Sequence, residues 1–313
     1  MKQPLISVAL CTYNGEKYIK EQLESIIDQT YQNIEIIIVD DCSTDKTFLI
    51  IEDYASRDIR IKCFRNETNL GFNKNFEKAL KLTNGSFISI SDQDDIWEIN
   101  KIQVLLDNIK DNWLIFSNSV IIDDNGVVKD EKLLNNFSLA QLGSYKSLLL
   151  NNYITGHTTL FRREFLNYIL PFPSIGFYDW WMGFIAHYHK RIVFIDQVLT
   201  KYRHHESAVT EIFRNSNGVV KNRYFEVMFY QVQALATYPN FKEEDRIYVN
   251  NLNNALRLKL SKAYSMPLFK IVMDDYYSLF PYIKARKGIS KVNFALRFSK
   301  REKEAVIKSL KTD

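Results

Sequence analysis

The tightest constraint on this chain is a rhythm confined to its first third. Short apolar runs that stop on polar or acidic side chains alternate there with segments whose apolar residues recur at helical spacing. Leu5 to Leu10 is the first run, and Glu16 to Asp28 follows with Ile19, Leu23, Ile26 and Ile27 on one face. Ile34 to Val39 ends in Asp40-Asp41, ahead of a helix carrying Phe48, Ile51, Tyr54 and Ala55. Ile59 to Phe64 precedes a helix marked by Phe72, Phe76, Ala79 and Leu80. Phe87 to Ile90 stops at Ser91-Asp92, and a helix after Trp97 shows Ile102, Leu105, Leu106 and Ile109. Four β-α units in succession predict an α/β fold around a parallel, doubly wound sheet with right-handed crossovers.

Beyond Trp113 the rhythm changes. Val120 to Ile122 and Val127-Val128 flank Asp123-Asp124-Asn125-Gly126, a hairpin signal, because Asn-Gly suits a tight turn. Thr158 to Phe161, Ile192 to Ile195 and Val198 to Tyr202 read as further strands. From about Lys221 the chain reads as helical, most clearly over Tyr224 to Tyr238 and Glu243 to Tyr264, with Pro267 as a breaker. The expected division is a catalytic α/β domain over residues 1–215 and a helical C-terminal region over 216–313.

In open α/β sheets, ligands bind beyond the carboxyl ends of the strands. Those ends here read Cys11-Thr12-Tyr13-Asn14, then Asp40-Asp41, then Asp92-Gln93-Asp94-Asp95. Asp41, Ser43 or Asn14 taken alone fits a helix cap equally well. The triple aspartate does not: three like charges within four residues repel one another unless a cation sits among them. Oxygen ligands of this kind suit Mn2+ or Mg2+, which also bind phosphate oxygens of a substrate. No G-x-G-x-x-G follows the first strand and no P-loop occurs anywhere, which argues against a dinucleotide cofactor and a P-loop nucleotidase. A net charge of +4 on 313 residues is too small to argue for nucleic acid. Three cysteines without a C-x-x-C pair suggest a reducing compartment. A strand beginning almost at Met1 leaves no room for a signal peptide, and no run approaches the roughly 18 apolar residues that span a bilayer. The expected location is cytoplasmic.

Three segments together carry a resemblance: Ser7 to Asn14, Ile38-Val39-Asp40-Asp41-Cys42-Ser43-Thr44-Asp45, and Ser91-Asp92-Gln93-Asp94-Asp95. They resemble the inverting family-2 glycosyltransferases of the GT-A fold. Ser91 to Trp97, Asp179-Trp180-Trp181 and Tyr202-Arg203-His204-His205 are similar to its rhamnosyltransferase-like branch. The likeness covers about residues 5 to 210.

The resemblance implies roles. Thr12, Tyr13 and Asn14 would line the base pocket, Tyr13 offering a stacking face. Asp41 would accept a hydrogen bond from the N3–H of uracil or thymine. Asn69 and Gly71 would approach the nucleotide, although a plain turn with glycine at positive φ fits them as well. Asp92 would face the ribose or the metal. Asp94 would ligate the metal, with Asp92 and His205 beside it. Asp95, Trp97, His157, Trp180 and Arg203 would lie on the acceptor or diphosphate side. Asp179 matches the catalytic base; an acidic residue favourably placed at a helix N-terminus is the other reading. Glu206 stands where the family usually carries glycine. The implied partners are a UDP- or dTDP-sugar donor, of rhamnose in the branch reading, and a saccharide or lipid-linked acceptor. Two other classes remain: a sugar nucleotidyltransferase, which would want a glycine-rich basic loop in place of Thr12-Tyr13-Asn14-Gly15-Glu16, and an inactive nucleotide-sugar-binding subunit.

Between Lys284 and Lys311 lie ten basic residues and two acidic ones, with Phe294, Leu296 and Phe298 among them. Such a tail suits either an anionic lipid surface at the inner face of the cell membrane or a homodimer contact through C-terminal helices. Each basic residue near anionic lipid contributes about 1 kcal/mol. The lipid reading predicts co-sedimentation with anionic but not neutral liposomes, lost on deletion of 284–313. Equal behaviour on both lipids would remove it.

Overall fold

The computed structural model describes residues 3–205, 220–283 and 287–301. They form two units. One holds the chain up to Ala140 together with Asn152–His205; the other holds Gln141–Asn151 and the described residues after His205.

The first unit is built as the apolar runs dictate. Strands β1 (Ile6–Thr12), β2 (Ile34–Asp40), β3 (Ile61–Arg65) and β4 (Phe87–Ser91) alternate with helices α1 (Ile19–Ile27), α2 (Thr47–Arg57) and α3 (Phe72–Leu82). A two-residue strand β5 (Ile96–Trp97) precedes α4 (Lys101–Asn108). β1 and β2 are buried along their whole length, as strands covered on both faces must be. Ile19, Leu23 and Ile26 of α1 and Ile102 and Leu105 of α4 close one core with Ile6, Val8 and Leu10 of β1 and Ile36 and Ile38 of β2.

After α4 come β6 (Leu114–Ile122), β7 (Val128–Lys132), short α5 (Leu139–Leu142), β8 (Thr159–Arg162), short α6 (Leu166–Ile169), α7 (Tyr178–Tyr188) and β9 (Ile192–Arg203). The sheet order is β3-β2-β1-β4-β8-β6-β9-β5, with β7 beside β6. It is mostly parallel, in keeping with the β-α rhythm, and its antiparallel members are β5, β7 and β8. β8 lies antiparallel between β4 and β6. β6 and β9 pair in parallel, so six strands (β1, β2, β3, β4, β6 and β9) still point one way. The two strands read from Ile192 to Ile195 and Val198 to Tyr202 are one strand, β9, whose register with β6 shifts at Asn118. The β6–β7 turn forms as expected, with Gly126 at φ 82 and the Asp123 carboxylate accepting the N–H groups of Asn125 and Val127.

The second unit contains α8 (Val220–Leu235), α9 (Glu243–Ser261), α10 (Met266–Leu279) and α11 (Ile289–Ser299). Pro267 starts α10 rather than merely ending α9: it sits in the first turn, where its missing N–H costs nothing, and Ser265 Oγ caps Leu268 N–H. The segment Gln141–Asn151 belongs here through Lys146, whose ammonium meets Asp275 at 2.7 Å and lies over the Tyr248 ring. Phe294 and Phe298 of the basic tail pack against Phe280, so of Phe294, Leu296 and Phe298 only Leu296 is exposed. Lys284, Arg286, Glu206 and the tail beyond Arg301 lie outside the described residues.

Gly85, just ahead of β4, passes so close to β1 that a Cβ there would stand 2.6 Å from the Ser7 nitrogen and 2.7 Å from the Leu5 oxygen. Both are backbone atoms that cannot step aside. Gly85→Ala is therefore expected to destabilise the fold by about 1–3 kcal/mol in urea unfolding. An unshifted midpoint would show that β1 and β4 are not this closely apposed.

Candidate active site

The six co-directional strands end at one edge. That edge collects Thr12 and Tyr13 from β1, Asp40 and Asp41 from β2, Asn66 after β3, the Asp92–Asp95 loop after β4, Asp123 and Asp124 after β6, and Arg203 and His205 from β9. The carboxylates after β2 are answered locally. Asp40 is fully buried and accepts hydrogen bonds from Thr12 Oγ1, Ser43 N and Ser43 Oγ. Asp41 accepts from Asn66 Nδ2 (2.7 Å), Leu70 N (2.8 Å) and Gly71 N (2.9 Å), and Gly71 takes φ 77 to present its N–H. Asn14, at φ 47, uses its side chain to accept from Thr44 N, tying the β1 and β2 loops together. Tyr13 stands out at 47% exposure.

The acidic motif divides into two settings. Asp94 Oδ2 lies 2.8 Å from His205 Nε2. Asp92, Asp95 and His157 form a separate group whose ligand atoms fall within 4.8 Å of one another. Asp95 and His157 are buried, and Asp95 Oδ2 and His157 Nε2 have no hydrogen-bond partner among the described residues. Burial drives the Asp95 carboxyl well above the ordinary carboxylate range. Burial alone would depress His157, but the Asp95 and Asp92 charges outweigh it and raise the imidazole. His157 stacks on Tyr202 at 4.7 Å, and its carbonyl accepts from the buried Lys101 ammonium. Carboxylate oxygens of this kind fit Mn2+ or Mg2+, and an imidazole beside them is a donor for transition metals rather than for Mg2+.

Arg203 ties these loops down. Its guanidinium donates from Nε to the Asp94 carbonyl (2.8 Å), from Nη1 to the Asp123 and Asp124 carbonyls, and from Nη2 to Glu21 (2.6 Å). Its backbone N–H reaches Asp95 Oδ1, and its charge lies over the Tyr18 ring at 4.9 Å. Tyr18 and Lys17 both engage the Asp124 carboxylate, and the Tyr18 ring meets His205.

Asp179 opens α7. Its Oδ1 accepts the Trp180 N–H at 2.6 Å, and the Gly156 N–H donates to the same carboxylate. Asn73 of α3 holds the preceding segment, accepting from Tyr178 N and donating to Gly176 O. Gly156 must lack a side chain here, since a Cβ would stand 2.3 Å from the Tyr178 hydroxyl oxygen. Protein surrounds Asp179 although the residue keeps some solvent access. That desolvation, with the nearby Asp92 charge, raises the carboxyl to about 7 against the hydrogen bonds that favour its anion.

Several expected positions land elsewhere. Trp97 lies in the hydrophobic core under the Lys101 ammonium, 3.6 Å from its ring centre, because β5 turns it inward. Trp180 is buried on α7. Thr12 turns its hydroxyl to Asp40. Arg203 commits four of its five N–H groups to protein acceptors instead of pointing at a diphosphate. The expected ligand trio of Asp92, Asp94 and His205 does not converge as one group: Asp92 goes with His157 and Asp95, while Asp94 goes with His205. Asn73, Tyr178, Lys101, Glu21 and Gln93 were not singled out from the sequence. Gln93 lies inside the quoted motif without a role of its own there, and the others carry no pattern of their own.

Residues 7–170 match the family model for Glycosyl transferase family 2. The chain is 30% identical over 213 residues to the UDP-Glc:alpha-D-GlcNAc-diphosphoundecaprenol beta-1,3-glucosyltransferase WfgD of Escherichia coli, covering 67% of this chain and 81% of that one. TarS 1-349 of S. aureus, solved with UDP-GlcNAc, aligns with a TM-score of 0.58 at 21% identity over 88% of this chain and 81% of its own. The mannosyltransferase PcManGT from Pyrobaculum calidifontis, solved with GDP-Man and Mn2+, aligns with a TM-score of 0.54 at 16% identity over 80% and 70%. The fold is thus that of the GT-A glycosyltransferases.

A carboxyl whose folded pKa is about 7 lies above its unfolded value of about 3.9. Its protonated form adds stability that is full below the unfolded pKa and lost as pH rises through the folded one. Asp179→Asn removes this term. The melting temperature of the variant relative to wild type is expected to climb between pH 4 and about 7 and then level off. A difference that stays flat with pH would mean that Asp179 is ionised throughout.

Proposed function

The chain belongs to glycosyl transferase family 2, and from that premise we propose that it moves a sugar from a pyrimidine nucleoside diphosphate to a saccharide or lipid-linked acceptor in cell-surface polysaccharide synthesis. The observation that carries the reading is Asp179: a carboxylate with raised proton affinity, open to solvent on one side, at the same edge as the acidic motif. A lipid-linked acceptor is supported by the likeness to WfgD, whose name gives a diphosphoundecaprenol acceptor.

On the donor side, Tyr13 offers its exposed ring to the base. Asp41 has three of its roughly four lone-pair directions filled by protein donors, which leaves room for one N–H of uracil or thymine. UDP and dTDP donors both satisfy that contact, and hexose and rhamnose are both compatible with it. Asp94 and His205 are the residues we assign to a divalent ion. They keep more solvent access than buried Asp95 and His157, and Mn2+ or Mg2+ retains waters and takes phosphate oxygens. When bound, the ion would compensate the charge that develops on the departing diphosphate.

Asp179 performs the proton step. The acceptor hydroxyl attacks the anomeric carbon, the bond to the diphosphate oxygen breaks, and the hydroxyl proton passes to the Asp179 carboxylate. A single displacement of this kind inverts the anomeric centre. The Gly156 and Trp180 N–H groups hold the carboxylate in place, and its burial keeps it basic enough to accept the proton near neutral pH. Asp95 and His157 support the loop from behind.

Kinetics and calorimetry on two variants test this. Asp179→Asn should retain affinity for UDP in Mn2+ while turnover falls by roughly 10²–10⁴, since only a transition-state interaction is lost. Wild-type kcat/KM should rise with pH to a plateau above about 7, as a base that must be unprotonated requires. Asp94→Asn should weaken UDP and Mn2+ binding together, and chelator should abolish wild-type activity. Near wild-type turnover of Asp179→Asn, or full activity in chelator, would overturn the assignment.

A further inference from the structure

The middle residue of the acidic motif makes a contact that no role above requires. Gln93 Oε1 accepts the Tyr13 backbone N–H at 2.8 Å, and Gln93 Nε2 donates to the Tyr13 carbonyl at 2.9 Å. One side-chain amide thus satisfies both main-chain groups of a residue 80 positions away. The geometry leaves no space beside it: a Cβ on Gly15 would lie 2.3 Å from Gln93 Oε1. The other flank of the same loop is pinned separately, with Asn14 N donating to Ser43 Oγ and Glu16 N donating to Asp45.

We propose that Gln93 is a positioning residue that locks the Tyr13 backbone to the acidic motif and thereby sets the affinity of the site for a nucleotide. The proposal rests on the reading of Tyr13 as the face on which the base stacks. An amide suits the place on two grounds. It offers one donor and one acceptor, matching the N–H and C=O of Tyr13, whereas a carboxylate would set an oxygen against the Tyr13 carbonyl. It is also neutral, so it adds no fourth charge to Asp92, Asp94 and Asp95. Through this clamp, the ring that takes the base and the carboxylates that face the diphosphate move as one body. Binding then loses less to ordering of the loop.

Two hydrogen bonds hold the loop, so Gln93→Ala should weaken UDP binding in Mn2+ by about tenfold. Donor KM should rise with kcat little changed and the melting temperature unchanged, a split that a merely structural defect would not give. Gly15→Ala should produce the same loss by displacing the amide. Gly15→Ala combined with Gln93→Ala should be no worse than Gln93→Ala alone, because the obstructing side chain is gone. Hydrogen exchange reads the clamp without any ligand: the Tyr13 amide should exchange faster in Gln93→Ala than in wild type. UDP affinity equal to wild type in Gln93→Ala, or losses that add in the double variant, would overturn the proposal. If wild type itself bound no UDP with Mn2+, the donor reading would fall and Tyr13 exchange would decide the clamp. Faster exchange in Gln93→Ala would sustain the clamp, and equal exchange would overturn it.

Discussion

The guanidinium of Arg203, sealed from water, donates to the carbonyls of Asp94, Asp123 and Asp124 and to the carboxylate of Glu21. A sheet with six strands pointing one way must gather their ends at one edge, and here those ends are acidic. Asp40, Asp41, Asp92, Asp94, Asp95, Asp123 and Asp124 share that edge, and their mutual repulsion would splay the loops if nothing opposed it. Backbone N–H groups answer Asp41, hydroxyls answer Asp40, and Arg203 gathers the loops after β4 and β6 around a single buried charge. A buried cation is tolerable only when its donors are satisfied, and the carbonyls of three aspartates supply most of that satisfaction. The remaining features of the site presuppose this edge being held together.

The consequence for chemistry is a division of the edge by solvent access. Asp95, His157 and Lys101 are sealed behind it: burial raises the Asp95 carboxyl and lowers the Lys101 ammonium, while the Asp95 and Asp92 charges raise His157 against its burial. Asp94, His205, Tyr13 and Asp179 keep some exposure to solvent. Asp92 belongs to both, grouped with His157 while its charge bears on Asp179. A carboxylate shared in this way couples the charge of the acidic motif to the proton affinity of Asp179.

Much of this was legible in the residues. Continuous apolar runs ending on aspartate revealed the parallel half of the sheet, because strands buried on both faces leave that signature. The second half was less legible. β8 is short and lies antiparallel between two strands that both precede it, and no local pattern encodes a neighbour so distant. Neighbours in sequence can part ways: Asp179 keeps some solvent access at the start of α7, whereas Trp180 beside it is buried. Trp97 and Arg203 illustrate the limit. Their residue types suit a binding surface, yet both are inward-facing, and the direction of a side chain at a strand end depends on partners supplied by α1, α4 and the β6–β7 turn. Gln93 was hidden for a related reason, since its partner is main chain and carries no residue identity.

The pairing of β6 with β9 bears on how the protein comes into being. Leu114 pairs with Ile192, so this half of the sheet closes over a long intervening stretch, whereas β1 to β4 are joined by short local crossovers. Non-local pairing carries a larger loop-closure entropy and forms slowly. On a ribosome, the first four strands and their aspartates emerge well before Arg203, which ends the last strand. The nascent sheet therefore carries its acidic loops without the cation that later binds them. Assembly of that edge is thereby made conditional on completion of the sheet, and a chain interrupted before β9 would display the acidic loops after β4 and β6 without the cation that gathers them.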